Sequence, residues 1–219
     1  MKNLEQQKLN AAEYAAERFL RQKYVLGLGG GSTVRKFIDV LAESRARNIC
    51  VAADKRNFKY AKQKKLKIVP ISSVKKIDLA IDGADGIDRN LNLIKGAGGG
   101  AIAHEKIIES AAKTAVIIAD STKLKKKLLR MDVPIEVLPQ AVPFVAKALH
   151  KLGASAKLKK RFATDHGNLI LNARFRRNYN PAKLEKMVKC IPGVVEVGIF
   201  TGLADYAVIG YDSHAEVLT

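Results

Sequence analysis

Tryptophan is absent from this 219-residue chain, and only two cysteines occur, Cys50 and Cys190. Their separation matches neither a zinc site nor a redox pair, so both read as buried free thiols. Apolar runs fall short of the roughly 20 residues that cross a bilayer. The opening stretch, MKNLEQQKLNAAEYAAERFL, lacks the apolar centre and small-residue cleavage site of a secretory signal. These absences lead us to expect a cytoplasmic protein with no membrane partner. Acidic residues are also scarce: 21 Asp plus Glu stand against 39 Lys plus Arg, a formal charge of +18. Such an excess favours anionic partners by long-range attraction without naming them. Much of it lies in KRNFKYAKQKKLK, KLKKKLLR and KLKKR, where lysines alternate with apolar residues as on the outer face of an element. The few aromatics and the lack of any helix-turn-helix, zinc-finger or aromatic RNA-binding signature argue against nucleic acid. A solvated face is the simpler reading.

What is present alternates. Helical spacing over 4–20 precedes the strand-like KYVLGLGGGST, and strands ending in acids or glycine then alternate with helices up to TAVIIADST. That order predicts a Rossmann-like, mostly parallel sheet with helices on both faces. Beyond about residue 131 the order becomes β-α-β-β-α-β, a small ferredoxin-like α+β domain. The last strand, DYAVIGYD, is placed to return to the first sheet. We therefore expect a catalytic domain of 1–131 and 203–219, with 132–202 inserted as a small domain at a subunit interface.

Ligands in open α/β sheets sit beyond the carboxyl ends of the strands, and the polar punctuation gathers there. GLGGGST, residues 27–33, joins a strand to a helix. Gly29, Gly30 and Gly31 permit close backbone approach, a helix start offers unpaired amides, and Ser32 and Thr33 add hydroxyls, which together make a phosphate cradle. A P-loop would need lysine where Gly31 stands. The dinucleotide pattern would need glycine where Ser32 stands, although Asp54 follows at about the spacing of a ribose-binding acid and keeps that reading open. In DGADGID, Asp82 and Asp85 flank a glycine at a strand end. Paired acids of this kind can divide proton-donor and acceptor roles, or cap a turn. A metal is the weaker alternative, since no His or Cys joins them at ligand spacing. KGAGGGAIAHEK supplies a fixed cation, Lys95, then Gly96 and further glycines, then Glu105 near a helix start. A cation can stabilise a developing oxyanion, and a desolvated carboxylate can take a proton from carbon. Lys123, after Asp120 in ADSTK, can meet a phosphate or a sugar hydroxyl. His104, His150, His166 and His214 carry no catalytic assignment. A phosphate cradle, two acids, a cation and a carbon base suit proton transfer between adjacent carbons of a sugar phosphate.

The segments GLGGGST, DGAD, KGAGGG…EK, IADSTK, VPIEVLP, TDHGNLIL, IPGVVEVGIF and ADYAVIG follow one another across nearly the whole chain. Together they resemble type A ribose-5-phosphate isomerase. The resemblance implies interconversion of D-ribose 5-phosphate and D-ribulose 5-phosphate through a cis-enediolate, with no metal or other cofactor, in a homodimer or tetramer of the pentose phosphate pathway. By motif it makes Glu105 the base between C2 and C1, and Asp82 the residue that assists ring opening. Asp85 and Lys95 would bind sugar oxygens, with Lys95 on the enediolate. Ser32, Thr33 and the amides around Gly29, Gly30 and Gly31 would hold phosphate, with Gly96 and Lys123 at the sugar and Lys8 a further candidate at the phosphate. A sugar-phosphate sensor that binds without turnover is the alternative. Departures from the family pattern stand inside the motifs. Gly30 replaces a usual Thr, which implies a raised KM more than a lost reaction. Gly86 replaces a usual Glu. The stretch from Lys95 to Glu105 is one residue longer than usual, which implies a bulge in the glycine loop with the helix kept in phase.

Overall fold

The computed structural model describes residues 3–98 and 100–219. In chain order the elements are α1 (Leu4–Phe19), β1 (Val25–Leu28), α2 (Gly31–Glu43), β2 (Ile49–Ala52), α3 (Lys55–Gln63), β3 (Lys67–Ile68), β4 (Leu79–Asp82), β5 (Gly86–Ile87), β6 (Leu93–Ile94), α4 (Ile102–Ala111), β7 (Ala115–Asp120), β8 (Val133–Val137), α5 (Val142–Lys151), β9 (Ala154–Leu158), β10 (Leu169–Phe175), α6 (Pro181–Lys189), β11 (Val194–Val197), β12 (Ile199–Phe200), β13 (Tyr206–Gly210) and β14 (Ala215–Leu218). They pack as two compact units, one of residues 1–84, 104–123 and 203–219, the other of 85–103 and 124–202.

The first unit holds a seven-stranded sheet in the order β14-β13-β7-β4-β1-β2-β3. Every pairing is parallel except that of β13 with the edge strand β14. The central strand β7, AVIIAD, is buried along its whole length, as a parallel strand covered on both faces must be. α2 supplies Val34, Phe37, Ile38 and Leu41 to the same core, at helical spacing. β13 pairs with β7, so the chain returns to the first sheet after the inserted segment, as its sequence suggests. Gly210, at the end of β13, is a seat for α1. A Cβ there would lie 1.8 Å from the Gln7 backbone oxygen and 3.0 Å from the Ala11 nitrogen. Backbone cannot swing aside as a side chain does. Gly210→Ala is expected to cost about 1–3 kcal/mol of stability, the usual price of overpacking. Chemical denaturation measures it, and an unchanged midpoint would contradict this seat.

The second unit contains the β-α-β-β-α-β run β8-α5-β9-β10-α6-β11. Its four strands form an antiparallel sheet in the order β11-β8-β10-β9, the ferredoxin-like arrangement. Val145, Leu149, Leu184 and Val188 of the two helices join its core. This unit also takes in β5 and β6, which pair with β12 as a separate three-stranded antiparallel sheet. The sequence reads VVEVGIF as one strand; the structure divides it at Gly198. A Cβ at Gly198 would lie 2.3 Å from the Lys95 carbonyl oxygen and 2.7 Å from that of Pro134. Two backbones close on this residue, and the strand changes sheets there.

The cysteines part company. Cys50 is buried in β2, and burial pushes its thiol up to about 12. Cys190, expected to be buried, is exposed, because it caps the carboxyl end of α6 after the buried face of that helix has ended at Val188. The lysines of α3 behave as a solvated face: the helix buries Asn57 and Ala61 and leaves Lys55, Arg56, Lys59 and Lys62 exposed.

Candidate active site

In the first unit β1 and β4 are parallel neighbours, with β2 on the far side of β1 and β7 on the far side of β4. The chain therefore winds outward in both directions from this pair, and the carboxyl ends of such a pair are where open α/β sheets place their ligands. The glycine loop follows β1 and Asp82 ends β4. Gly29 donates its amide to the Ile81 carbonyl at 2.9 Å, which locks the two strand ends together. Asp82 is buried, and its Oδ1 accepts from the amides of Gly30 at 3.0 Å and Gly83 at 2.6 Å. A Cβ on Gly29 would fall 1.8 Å from the Asp82 carboxyl carbon, so glycine is the condition for this acid to sit against the loop.

Glu105 reaches the same loop from the first turn of α4 and is 7% exposed. A Cβ on Gly30 would lie 2.4 Å from Glu105 Oε1 and 3.2 Å from Asp54 Oδ2. The space a Thr side chain would fill is thus held by carboxylate oxygen. Gly86 tells the same story in the second unit, where a Cβ would lie 2.4 Å from Met131 Sδ and 3.1 Å from Leu128 Cδ1. In both places where this chain has glycine instead of a family side chain, another side chain has taken the room.

α2 starts at Gly31, whose φ of +87° favours glycine, and no side chain caps the helix. The amides of Gly31, Ser32 and Thr33 lie in its first turn, where helical geometry supplies no acceptor. Ser32 is exposed and Thr33 half-buried. The Gly30 amide, grouped with the phosphate donors on sequence grounds, is engaged by Asp82 instead. It orients the acid, and the first-turn amides that the helix leaves without an acceptor begin one residue later. Lys123 closes a short 3-10 turn after β7, with Asp120 buried beneath it as an acceptor for the Thr122 amide at 3.0 Å and for the Thr122 hydroxyl. Lys8 pairs with Glu5 at 2.8 Å.

The remaining expected residues belong to the second unit. Lys95 is 2% exposed, its amide donates to the Gly198 carbonyl at 2.9 Å, and its ammonium stands 5.4 Å from the centre of the Phe200 ring. Burial on this scale needs compensation, and the ring face supplies part of it. Asp85 Oδ2 accepts from the Ala97 amide at 2.8 Å and so anchors the start of the glycine loop. Gly96 has φ +97°, and a Cβ there would meet Ile102 at 2.5 Å. Gly99, within the loop where an extra residue is expected to bulge, lies outside the described residues. α4 begins at Ile102, which places Glu105 in its first turn as expected.

Some supporting residues have no motif to announce them. Asn57, 1% exposed, donates from Nδ2 to the Gly29 carbonyl at 2.8 Å, and its amide reaches Asp54 Oδ1 at 2.6 Å. Arg35 Nε donates to Asn57 Oδ1 at 3.2 Å, so α2 and α3 both steady the loop. A buried amide inside a lysine-rich helix shows only as one polar residue on the apolar face. His104 Nδ1 lies 3.1 Å from the Ala53 carbonyl, and since a carbonyl only accepts, this nitrogen carries the hydrogen. In the second unit Glu136 is fully buried and accepts from Thr164 Oγ1 and Asn168 Nδ2, each at 2.9 Å. It ties TDHGNLIL to VPIEVLP. Among the described residues no group of three or more His, Cys, Asp and Glu is placed to hold a metal, and no helix is long and apolar enough to cross a membrane.

The family profile described as ribose 5-phosphate isomerase A (phosphoriboisomerase A) matches residues 49–214. Ribose-5-phosphate isomerase A of Pyrococcus horikoshii is 39% identical, with 95% of each chain covered. The protein of that name from Thermosynechococcus vestitus is 41% identical over 94% of this chain and 92% of its own. Among solved structures, ribose 5-phosphate isomerase A of Neisseria gonorrhoeae superimposes with a TM-score of 0.95 at 31% identity, covering 100% of this chain and 98% of that one. A D-ribose-5-phosphate isomerase in complex with phospho-erythronic acid gives a TM-score of 0.94 at 37% identity, with 99% of both chains covered. On these matches over nearly its full length, the chain belongs to the ribose 5-phosphate isomerase A family.

Proposed function

We propose that this protein interconverts D-ribose 5-phosphate and D-ribulose 5-phosphate, the aldose–ketose step of the non-oxidative pentose phosphate pathway. The observation that carries the reading is the meeting of Glu105 and Asp82 at the Gly29–Gly30 segment, next to an uncapped helix start. In this reading the phosphate rests on the first-turn amides of α2 with the Ser32 and Thr33 hydroxyls, and Lys123 meets the sugar. Asp82 moves the ring-opening proton between sugar oxygens. Glu105 takes the proton from C2 of the open-chain aldose. The electron pair left behind forms the C1–C2 double bond, and the aldehyde oxygen becomes the enediolate oxygen, facing the Lys95 cation. The O2 proton passes to O1 by way of Asp82, the same carboxyl returns its proton to C1, and C2 becomes the ketone while C1 keeps the hydroxyl. C1 and C2 exchange oxidation states internally, so no redox cofactor is required, and Lys95 supplies the positive charge a metal would otherwise bring. Asp85 binds a sugar hydroxyl and Gly96 lets backbone approach the substrate.

The reading includes a cytoplasmic homodimer or tetramer, built from the domains 1–131 with 203–219 and 132–202, the small one at the subunit interface. In support, four of the six exposed large apolar side chains among the described residues, Leu138, Phe144, Leu158 and Met187, belong to 132–202. The test is an assay with ribose 5-phosphate in the presence of a chelator. Turnover to the ketose is expected. Saturable binding of ribose 5-phosphate with no turnover would instead make the protein a sensor.

A further inference from the structure

A second cluster of cations lies at the opposite end of the same sheet. A cavity of about 530 Å3 opens at the amino ends of β1, β2 and β3, where Lys23, Arg47, Lys65 and Lys67 line it. Lys23 precedes β1, Arg47 precedes β2, Lys65 precedes β3 and Lys67 begins it. These strands are parallel neighbours, so their leading residues converge on one rim. The glycine loop and Asp54 follow the carboxyl ends of β1 and β2. At roughly 3.3 Å per residue, four-residue strands put more than 10 Å between the two places.

All four side chains carrying the charge are exposed, and no carboxylate lines the cavity. Nearby in sequence, Lys64 has an acid of its own, Asp39 at 2.6 Å. Four like charges on one rim repel one another, and an anion removes that cost. Lys23 and Lys65 also hold left-handed backbone, φ +64° and +61°, which glycine would adopt more easily. Asn48 forms part of the cavity wall. It is 5% exposed, its Nδ2 is committed to the carbonyls of Arg21 and Tyr24, and its Oδ1 is buried with no donor. Leu41, Ile49 and Leu66 give the cavity apolar surface.

We propose that this cavity is a second anion site, separate from the catalytic crevice, that takes a phosphorylated small molecule of nucleotide size. Phosphate oxygens would meet the lysines and Arg47. The organic part of the ligand would lie on the apolar surface of Leu41, Ile49 and Leu66. The volume lies within the range of small-molecule sites. A nucleic-acid strand needs a longer basic track and bases stacked on aromatics, and no aromatic residue lines this cavity.

The test is calorimetric titration of the full chain with ADP and with pyrophosphate at about 0.15 M salt, with ribose 5-phosphate at saturation to fill the crevice. One ADP per chain is expected. The double variant Arg47→Ala, Lys67→Ala should bind ADP at least about tenfold more weakly, since it loses two charge-assisted contacts. An unchanged thermal melt by circular dichroism shows that the variant is folded, whatever the catalytic reading turns out to be. The proposal fails if ADP is bound only where ribose 5-phosphate displaces it, or if wild type and variant bind it equally. It fails too if neither ADP nor pyrophosphate binds. Binding of a short single-stranded oligonucleotide without binding of ADP would also overturn it, in favour of an open polyanion surface.

Discussion

Glu105→Gln is expected to lower kcat for ribose 5-phosphate isomerisation by at least about 10²-fold, the usual worth of a positioned general base. Gln keeps the shape and the hydrogen-bonding reach of Glu but cannot take a proton from carbon. Glu105 is 7% exposed in the first turn of α4, and its Oε1 lies in the space beside Gly30. A neutral amide fits that space as well as a carboxylate does. The loss should therefore appear in kcat, with KM changed far less, because in the proposed site other groups hold the phosphate end of the substrate. Initial rates over a range of ribose 5-phosphate, beside a thermal melt, separate the two parameters from any folding defect. Equal kcat in the two proteins would remove Glu105 from the chemistry, and the sensor reading would not be rescued by it, since the wild type would still turn over.

Gly30→Thr is expected to lower kcat by a comparable factor, on the order of 10²-fold, the loss that follows when a catalytic group is displaced by about 1 Å. The family pattern suggests the opposite, since Thr there adds a hydroxyl toward phosphate. Space decides between these effects. Gly30 has φ −99° and ψ 170°, an extended conformation open to any residue, and it is the N-cap of α2, a position where Thr is favoured. Backbone strain is therefore no obstacle, and the variant should fold with stability unchanged or slightly raised. A Cβ, however, would stand 2.4 Å from Glu105 Oε1 and 3.2 Å from Asp54 Oδ2. The Glu105 carboxylate is the end of a flexible chain and yields readily, so folding is spared and the proposed base is moved. Gly30→Ala displaces the same oxygen without adding a hydroxyl. If both variants lose kcat together, displacement is the cause. A Thr variant with raised kcat/KM would show that Glu105 has an equally good position elsewhere.

Much of this was legible because strong local signals agreed with one another. Alternating periods of two and 3.6, with glycine and acids at strand ends, specify parallel βαβ units and point to the carboxyl ends of their strands. Elements built from few residues left weaker traces: β5 and β6 span two residues each, and only Gly198 separates β12 from β11. Their identity depends on pairing with distant partners, and two residues carry no period. Asn57 and Gln7 were invisible for a related reason. Gln7 is 2% exposed and accepts from the Ser121 amide and hydroxyl, each at 3.0 Å, while donating to Asp212 at 2.8 Å. A buried polar residue is kept by partners that lie far along the chain, and no window of sequence contains them.

The chain by itself determined the kinds of chemistry available: a glycine loop at a helix start, acids after strands, a lysine and a glutamate on one glycine-rich stretch. It also determined the order of elements, because hydrophobic period and turn chemistry act locally. Only the tertiary structure decided what occupies the space at each glycine. It assigned the Gly30 amide to Asp82 instead of to an anion, filled the place of a Thr side chain with Glu105, and filled that of a family Glu with Met131. It also gathered Lys23, Arg47, Lys65 and Lys67 on one rim. Volume and charge are shared among residues remote in sequence, and close packing makes each claim on them exclusive.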